Sequence, residues 1–390
     1  MVETSVFENA FVEDFDAVSR GFFYQSPWRS LWTQGCFSRL TTPVAGAEQP
    51  DGAFQCQLRQ QFSEAKQQGI QNPIMVGAIP FDASQPSALF IPEASHFFDR
   101  QQLAGGFTDT PLPTVTSRTA LPDHAAFTDM VAQAVNATSQ GELDKVVLSR
   151  LMDITTERPV DTAMLMRRII NQNPTSYNFH VPLPDGGSLL GASPELLLRK
   201  QNGEFSSCPL AGSARRQQDR QQDNAVGQRL MHSSKDRYEH KLVTDAMRDV
   251  LQSRSSLLSV PETPQLVTTP TLWHLATWIN GEARDPRDNA LSLASLLHPT
   301  PALSGFPHAR AQKLIAQLEP FDRHLFGGIV GWCNEAGDGE WVVTIRCGTV
   351  HNTRVRLFAG AGIVPDSSPE SEWNETGVKL DTMLRAFGLQ

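Results

Sequence analysis

The sequence has little that would take the protein to a membrane or to nucleic acid. No apolar run reaches the roughly 18 residues that a transmembrane helix needs, although 40% of the 390 residues are hydrophobic. The 33 Lys and Arg are outnumbered by 42 Asp and Glu, which gives a formal net charge of −9. The longest basic runs are the pairs Arg167-Arg168 and Arg215-Arg216. Because a surface that follows phosphates needs clustered positive charge, we expect neither nucleic acid nor a membrane as partner.

Cysteine is scarce as well. The 5 cysteines are scattered and form no C-x-x-C pair, so neither a disulfide framework nor a zinc site is indicated. Free thiols are typical of a reducing compartment. The segment MVETSVFENAFVEDFD at the start of the sequence is acidic and lacks the basic and apolar parts of a signal peptide. Together these features predict a cytoplasmic protein.

The chain is long enough for a large core, in two or three domains or in one large two-lobed domain. Between Asp99 and Pro122 the sequence is rich in Thr, Pro and Gly and has little periodicity, which predicts a long connection. We therefore predict an N-terminal lobe with its connecting segment over residues 1–122 and a second region over residues 123–390. All candidate catalytic residues lie in the second region.

Short strand-like runs in the second region follow one another too closely for parallel crossovers. The runs are Ser176–Val181, Ser188–Gly191, Glu195–Lys200 and Glu204–Leu210, with turn residues between them. Such spacing predicts antiparallel hairpins and an α+β fold, and it disfavours a Rossmann fold. Further predictions are a helix over Lys235–Leu251, one strand-like segment over Gln265–Ala276 and a solvated loop over the polar segment 215–224.

Two charged residues stand at the starts of strand-like runs. Lys145 opens a β-branched run, where it is either an ordinary edge-strand charge or, if it points inward with Val147 and Ser149, a desolvated amine. Desolvation would lower its pKa from about 10.4 toward the range of a base. Glu195 follows Pro194 and precedes three leucines. It is either a strand-end carboxylate in water or an acid whose pKa is raised by apolar neighbours.

A third charged residue lies on an apolar helix face. On the predicted helix Lys235–Leu251, Glu239 shares its sector with Val243, Ala246 and Val250. A carboxylate that faces the core needs a partner, because burying it unpaired costs several kcal/mol. That partner is either a buried Arg or Lys, or a metal ion, since hard oxygen ligands suit Mg²⁺.

The C-terminal helix carries another group of charges. Residues 356–380 form a Gly-x-Gly turn, a Pro-marked loop and the start of a helix. On that helix Glu372, Glu375 and Lys379 share one sector beside an apolar stripe. As an isolated i,i+4 pair, Glu375 and Lys379 would form a surface salt bridge worth about 0.2–0.5 kcal/mol. The alternative is that both residues lie at the edge of a functional site.

The order of short motifs along the chain resembles that of the chorismate-utilising enzymes, and most closely that of the isochorismate synthases of siderophore biosynthesis. The motifs are DKVVLSR (144–150), GASPELLLR (191–199), PLAGSARR (209–216), KDRYEHKLV (235–243), HPTPALSGFP (298–307), FGGIVGW (326–332), TIRC (344–347), LFAGAGIVPDSSP (357–369) and ETGVKL (375–380). In the N-terminal lobe, SPWRS (26–30), NPIMVGAIPFD (72–82) and LFIPE (89–93) favour the siderophore branch over the menaquinone-type isochorismate synthases, which share the same chemistry. The resemblance covers essentially the whole chain.

This resemblance implies stacked antiparallel sheets inside with helices outside, in two lobes, and a chorismate-binding catalytic region over residues 123–390. It implies that Lys145 is the general base and Glu195 the general acid, and that Glu239 and Glu375 hold Mg²⁺. The substrate is a dicarboxylate, and the positions implied to bind it are Gly212, Ser213, Ala302, Arg346, Gly360 and Lys379. Glu372 stays outside the predicted site.

The implied reaction is a hydroxyl transposition catalysed by an isomerase. Mg²⁺ fixes the ring carboxylate of chorismate, Lys145 takes a proton from a water that attacks C2, and Glu195 protonates the departing C4 hydroxyl. The ring double bonds shift, and the product is isochorismate, which feeds catecholate siderophore biosynthesis of the enterobactin type. We expect a monomer that makes transient contact with a downstream isochorismatase.

Three positions distinguish the chain from relatives with other activities. The ammonia-using anthranilate synthases have glutamine where Lys145 stands, and the aminodeoxychorismate synthases have a nucleophilic lysine in place of Ala211, so water is the expected nucleophile. Salicylate synthases, which eliminate pyruvate, tend to have a hydroxyl residue where Ala302 stands. We therefore expect little lyase activity, and a salicylate synthase-like lyase is the alternative function.

Overall fold

Two large antiparallel sheets and one small sheet make up the β-structure of the computed structural model, which describes residues 20–100 and 112–389. The first sheet has 10 strands, in the order β18 (Gly305–Phe306), β8 (Lys145–Thr156), β22 (Arg354–Ile363), β21 (Cys347–His351), β10 (Ser188–Ser193), β9 (Tyr177–Pro182), β1 (Phe23–Gln25), β2 (Ser30–Gln34) and β6 (Ala94–Phe98), with β7 (Val115–Leu121) on β8. The second has 9 strands, in the order β14 (Ser255–Ser259), β17 (Ile279–Ala283), β12 (Glu204–Cys208), β11 (Leu196–Gln201), β20 (Gly339–Val343), β19 (Ile329–Asn334), β4 (Ile74–Ile79), β5 (Ala88–Ile91) and β3 (Ser38–Leu40). The small sheet is β13 (Leu210–Arg215), β16 (Leu272–Ala276) and β15 (Gln265–Thr268).

Eight helices accompany these sheets in the described residues. They are α1 (Ala53–Gln67), α2 (His124–Ser139), α3 (Thr162–Gln172), α4 (Arg220–His232), α5 (Ser234–Gln252), α6 (Ala290–Leu297), α7 (His308–Leu318) and α8 (Pro369–Ala386). None of the helices in the described part of the chain is long and apolar enough to cross a membrane.

The two large sheets pack face to face, and helices cover their outer faces. Leu189 and Leu190 are neighbours on β10 and lie on opposite faces of the first sheet, because successive strand residues point to opposite faces. Leu189 joins the buried cluster that also contains Val330 of the second sheet. Leu190 joins a separate cluster with Ile169 of α3 and Leu380 of α8. The predicted α+β arrangement of stacked sheets inside and helices outside is confirmed.

Two predicted segments, the connection Asp99–Pro122 and the strand Gln265–Ala276, differ from the structure. The predicted connection from Asp99 to Pro122 ends in a strand, β7, whose polar, largely exposed residues suit an edge position. The predicted strand Gln265–Ala276 is a hairpin, because Pro270 interrupts it and the chain turns back between Thr268 and Leu272. Residues 101–111 of the connection lie outside the described residues.

The polar segment 215–224 is only partly a loop, since α4 begins at Arg220. Asp219 caps this helix by accepting a hydrogen bond from the Gln222 backbone N–H at 2.9 Å. Asp223 is buried and accepts from the Trp273 indole N–H at 2.9 Å. The contact between Asp223 and Trp273 spans 50 residues of chain, so local pattern does not show that one face of this polar segment is buried.

Strands from before and after residue 122 are intermixed in both large sheets. For example, β1 pairs with β9 in the first sheet, and β4 pairs with β19 in the second. The division into residues 1–122 and 123–390 stays a prediction. The candidate residues nevertheless converge, because β8, β13, β22, α5 and α8 border one cleft.

Candidate active site

A cleft lies where the small sheet meets the first sheet and the helices α5 and α8. About 590 Å³ of space that no atom fills, part of it open to solvent, lies between its side chains. Apart from Lys145, every predicted site residue lines it: Glu195, Gly212, Ser213, Glu239, Ala302, Arg346, Gly360, Glu375 and Lys379. The structure thus brings together residues that lie up to 184 positions apart in the sequence, counted from Glu195 to Lys379 (379 − 195).

Lys145 lies beside Glu239 at the edge of this cleft. Its side chain is fully buried, and its Nζ lies 2.9 Å from Glu239 Oε1. It shares a face of β8 with Val147, which lines the cleft. The inward orientation is therefore confirmed, and the edge-strand alternative is wrong for this lysine.

Gly362 makes the approach of Lys145 to Glu239 sterically feasible. The predicted Gly-x-Gly turn is wrong, because Gly360 and Gly362 both lie within β22, where Gly362 pairs with Val147 of β8. A Cβ atom at this position would lie 2.1 Å from Glu239 Oε1 and 2.8 Å from Lys145 Cε. Since such distances are far below van der Waals contact, any side chain here would push the two groups apart.

Glu195 occupies an apolar wall of the cleft. Its backbone N–H donates to Ser193 Oγ at 3.2 Å, and its Oε1 accepts from the Leu210 backbone N–H at 3.3 Å. Burial raises its pKa to about 7, although the Leu210 N–H and the Lys145, Arg346 and Lys379 cations oppose the shift. The interpretation of Glu195 as an acid with a raised pKa is supported, and the solvated strand-end alternative is wrong, because only 3% of the residue is exposed.

Glu239 lies on the buried face of α5, as predicted, but this face includes other residues than the predicted apolar stripe. The buried positions are Glu239, His240, Val243, Thr244, Met247 and Leu251. Val250, which the predicted stripe included, is 37% exposed. The partner that the structure shows for Glu239 is a buried lysine, Lys145.

On α8, three charged residues form two ion pairs at the cleft edge. Lys379 Nζ lies 2.6 Å from Glu375 Oε1 and donates to the Gly360 backbone C=O at 2.8 Å. Glu372 is fully buried, and its Oε1 lies 2.7 Å from Lys235 Nζ. The i,i+4 pair is present, but its side chains are only 14% and 24% exposed for Lys379 and Glu375, so it is not an ordinary surface salt bridge.

The carboxylates of α5 and α8 influence one another's ionisation. Burial, followed by the Glu375 charge, raises the pKa of Glu372 to about 7. Burial also raises the pKa of Glu375, but Lys379 and Lys235 outweigh that effect and hold it below its usual value. Asp236 has a raised pKa because of burial, despite its Ser233 hydrogen bond, with Glu239 and Glu375 adding to the shift.

Arg346 reaches the cleft from a strained bend between β20 and β21. Its φ is +50°, in the left-handed region that residues other than glycine rarely adopt, and its C=O accepts from the Ala192 N–H at 3.0 Å. Burial lowers its pKa to about 10. The guanidinium therefore remains positive at neutral pH and supplies a buried cation facing the cleft.

His274 lines the cleft and was missed by the sequence analysis. Its Nε2 is buried and has no hydrogen-bond partner among the residues that the structure describes. Burial, followed by the Arg346 and Lys379 charges, holds its pKa well below the usual value, while a hydrogen bond to the Gly212 backbone opposes this. A lone histidine in a strand has no spacing signal, so only the fold reveals that it faces the site.

The donor set fits a hard divalent cation. Glu239 and Glu375 supply carboxylate oxygens from two helices, and the buried Glu372 Oε2 has no hydrogen-bond partner in the described part of the chain. Mg²⁺ is commonly held by one or two carboxylates and keeps several waters. No cluster of three or more His, Cys, Asp or Glu arranged for a metal occurs in residues 20–100 and 112–389. Any metal here would therefore depend on the glutamate pair.

Residues 93–388 match the family described as chorismate binding enzyme. The chain is 60% identical over 371 residues to isochorismate synthase EntC of Escherichia coli strain K12, which covers 94% of this chain and 95% of EntC. The fold of this chain is similar to that of DhbC of Bacillus anthracis, described as a 2,3-dihydroxybenzoate-specific isochorismate synthase. The TM-score is 0.90 at 37% identity, covering 98% of this chain and 100% of DhbC. The menaquinone-specific isochorismate synthase MenF of Escherichia coli gives a TM-score of 0.81 at 26% identity, covering 96% of this chain and 91% of MenF.

Proposed function

The chain belongs to the chorismate-binding enzymes, and we propose that it is an isochorismate synthase, an isomerase that converts chorismate to isochorismate for catecholate siderophore biosynthesis of the enterobactin type. The observation that carries this function is the 60% identity to EntC over 94% of the chain. The menaquinone-specific MenF of Escherichia coli is only 26% identical to the chain, far below the 60% of EntC from the same species, so the siderophore pathway is favoured over the menaquinone pathway.

We assign the acid and base to Glu195 and Lys145. Glu195 is protonated up to about pH 7, so it can donate a proton to the leaving C4 hydroxyl at neutral pH. Lys145 takes the proton of the water that attacks C2. Arg346 and Lys379 bind the carboxylates of chorismate, and the neutral His274 offers its unpartnered Nε2 to the bound ring. The small residues at Gly212, Ser213, Ala302 and Gly360 leave room for the substrate.

We assign Glu239 and Glu375 as the residues that hold Mg²⁺. When bound there, Mg²⁺ supplies a positive charge that orients the ring carboxylate and stabilises negative charge in the transition state. Lys145 and Lys379 now neutralise these two carboxylates. A cation at this glutamate pair would replace the two ammonium groups, so that Lys145, in its neutral form, could accept the proton of the attacking water and Lys379 could bind the substrate.

The location, the oligomeric state and the partner of the enzyme are inferred from the family resemblance and the composition. We propose that the enzyme acts in the cytoplasm as a monomer and makes only transient contact with a downstream isochorismatase. Light scattering on a size-exclusion column gives the mass directly. A mass of twice 43.0 kDa would show that the monomer proposal is wrong.

The test of the function is product analysis with purified protein, chorismate and Mg²⁺. We expect isochorismate without pyruvate, because Ala302 provides no hydroxyl to the cleft. Lys145→Ala is the matched control and should lower kcat about 10²-fold or more, the scale for loss of an acid or base. Stoichiometric pyruvate in a lactate-dehydrogenase-coupled assay would instead identify a salicylate synthase-like lyase, and unreacted chorismate would exclude both enzymes.

A further inference from the structure

A second cavity, here called the vestibule, adjoins the active-site cleft. About 930 Å³ of space that no atom fills, part of it open to solvent, lies there between β13 of the small sheet and α8. On the helix side it is lined by Ser371, Asn374, Val378 and Asp381, which share one face of α8. Ser213 and Glu375 line both the vestibule and the cleft. The vestibule is therefore the outward continuation of the active site.

Arg215 is the cation of the vestibule. It lies two residues beyond Ser213 on β13, which places its side chain on the same strand face about 7 Å further toward the rim. It is exposed and takes part in no ion pair within residues 20–100 and 112–389. The adjacent Arg216 differs, since its guanidinium lies 2.7 Å from Asp223 Oδ2 and 4.9 Å from the Trp273 ring centroid. Of the two neighbours, Arg215 alone is available to an incoming anion.

The cations deeper in the site are poorly placed to attract a substrate from solution. Lys379 is paired with Glu375 at 2.6 Å, and Arg346 is buried. The protein as a whole has a formal charge of −9, which repels an approaching dianion. Local positive charge at a cleft mouth counteracts such repulsion and raises the association rate.

The other large cavity offers a less suitable route to the site. It lies between the two large sheets and shares Phe326 with the cleft. Phe326 stacks on Phe358 with ring centroids 5.1 Å apart, and Arg323 beside them is held by Glu319 at 2.6 Å. A dicarboxylate would have to pass stacked rings and a buried ion pair on this side, whereas the vestibule opens directly onto Ser213.

We propose that the vestibule is the entrance for substrate and that Arg215 captures the dicarboxylate there before it reaches Arg346 and Lys379. This inference rests on the proposed function, because it takes the dianion chorismate as substrate. Asp381 lies in the same vestibule without an ion pair in the described part of the chain. The negative charge of Asp381 repels the dicarboxylate. Removing the charge of Asp381 and removing the charge of Arg215 should therefore have opposite effects on substrate capture.

The experiment compares Arg215→Gln, Arg215→Lys and Asp381→Asn with wild type at ionic strengths of about 0.01 M and about 1 M, where the Debye length falls from about 30 Å to about 3 Å. Arg118→Gln is the matched control, since it removes the same charge from an exposed position on β7 that lines neither cavity. We expect Arg215→Gln to lower kcat/KM about fivefold at low salt and Asp381→Asn to raise it about twofold. Both differences should vanish at high salt, with kcat within about twofold of wild type throughout.

Arg215→Lys and Arg118→Gln should both resemble wild type, because the first keeps the charge and the second lies elsewhere. Equal kcat/KM for Arg215→Gln and Arg118→Gln at low salt would overturn the proposal. A loss that is independent of salt and appears in kcat would also overturn it and would indicate a structural role. Failure of the proposed function is distinguishable, since wild-type protein would then not convert chorismate at all.

Discussion

Glu195 and Glu239 lie in the same cleft, but their surroundings differ. Glu195 has apolar neighbours, takes part in no ion pair among the described residues, and has a pKa raised by burial to about 7. Glu239 has Lys145 Nζ at 2.9 Å, and Glu375 has Lys379 Nζ at 2.6 Å. Two carboxyl groups of identical chemistry are thus given different surroundings, one apolar and one paired with an ammonium.

This difference separates proton transfer from cation binding. A carboxyl group that keeps its proton near pH 7 can act as an acid, whereas one that is paired with an ammonium can exchange that ammonium for a metal. The small sheet contributes to the apolar side through Leu210. The helices α5 and α8 supply the charged side. The following predictions test whether the two sides act independently.

Glu195→Gln should have the largest effect. The amide keeps the shape of the side chain but has no acidic proton, so kcat should fall about 10²-fold or more. The variant should bind Mg²⁺ as tightly as wild type, which isothermal titration calorimetry in the absence of substrate measures. Wild-type turnover would remove Glu195 from the mechanism, and lost Mg²⁺ binding would show that the two sides are not separate.

Glu239→Gln and Glu375→Gln should each weaken Mg²⁺ binding, by about tenfold or more, because each removes one charged oxygen ligand. The same calorimetric titration gives the dissociation constant without reliance on turnover. Glu195→Gln serves as the control with an unchanged constant. An unaltered titration in both variants would leave Glu239 and Glu375 as partners of Lys145 and Lys379 only.

The pH profile should show the acid directly. Since Glu195 must be protonated to donate, kcat/KM should fall about tenfold per pH unit above about pH 7, the value to which burial raises its pKa. The residual activity of Glu195→Gln should lack this alkaline limb. If kcat/KM of Glu195→Gln still falls above about pH 7, a group other than Glu195 is responsible for the alkaline limb.

The smallest effect concerns stability. The pKa of Glu195 is raised from 4.5 to about 7, so the folded protein keeps a proton that the unfolded chain releases. This contribution is fully present below pH 4.5 and is lost as pH rises through 7. The Tm of Glu195→Gln relative to wild type should therefore rise by about 2–4 °C between these pH values, as measured by calorimetry. A constant difference would show that Glu195 is not desolvated as described.

Much of the fold could be predicted because the signals are local, whereas most of the candidate site residues followed from the resemblance to the chorismate-utilising enzymes. Alternating hairpins gave the antiparallel sheets, and helical periodicity placed Glu239 on a buried face. The pairing of Lys145 with Glu239 was not predicted as such, because periodicity identifies a buried face but not the residue opposite. The pair Lys235–Glu372, which spans 137 residues, and the orientation of His274 likewise depend on tertiary packing. Glu372, left out of the predicted site, proves to be fully buried beside it.

The absence of a side chain at Gly362 has a consequence for how this active site can change over generations. An amino acid that alters the charge at position 145 or 239 changes the chemistry at once. A single methyl group at 362, 2.1 Å from Glu239 Oε1, would leave every charge in place and yet displace the carboxylate from the lysine. Substitutions at position 362 can therefore alter the site through geometry alone, whereas substitutions at positions 145 and 239 alter its charge.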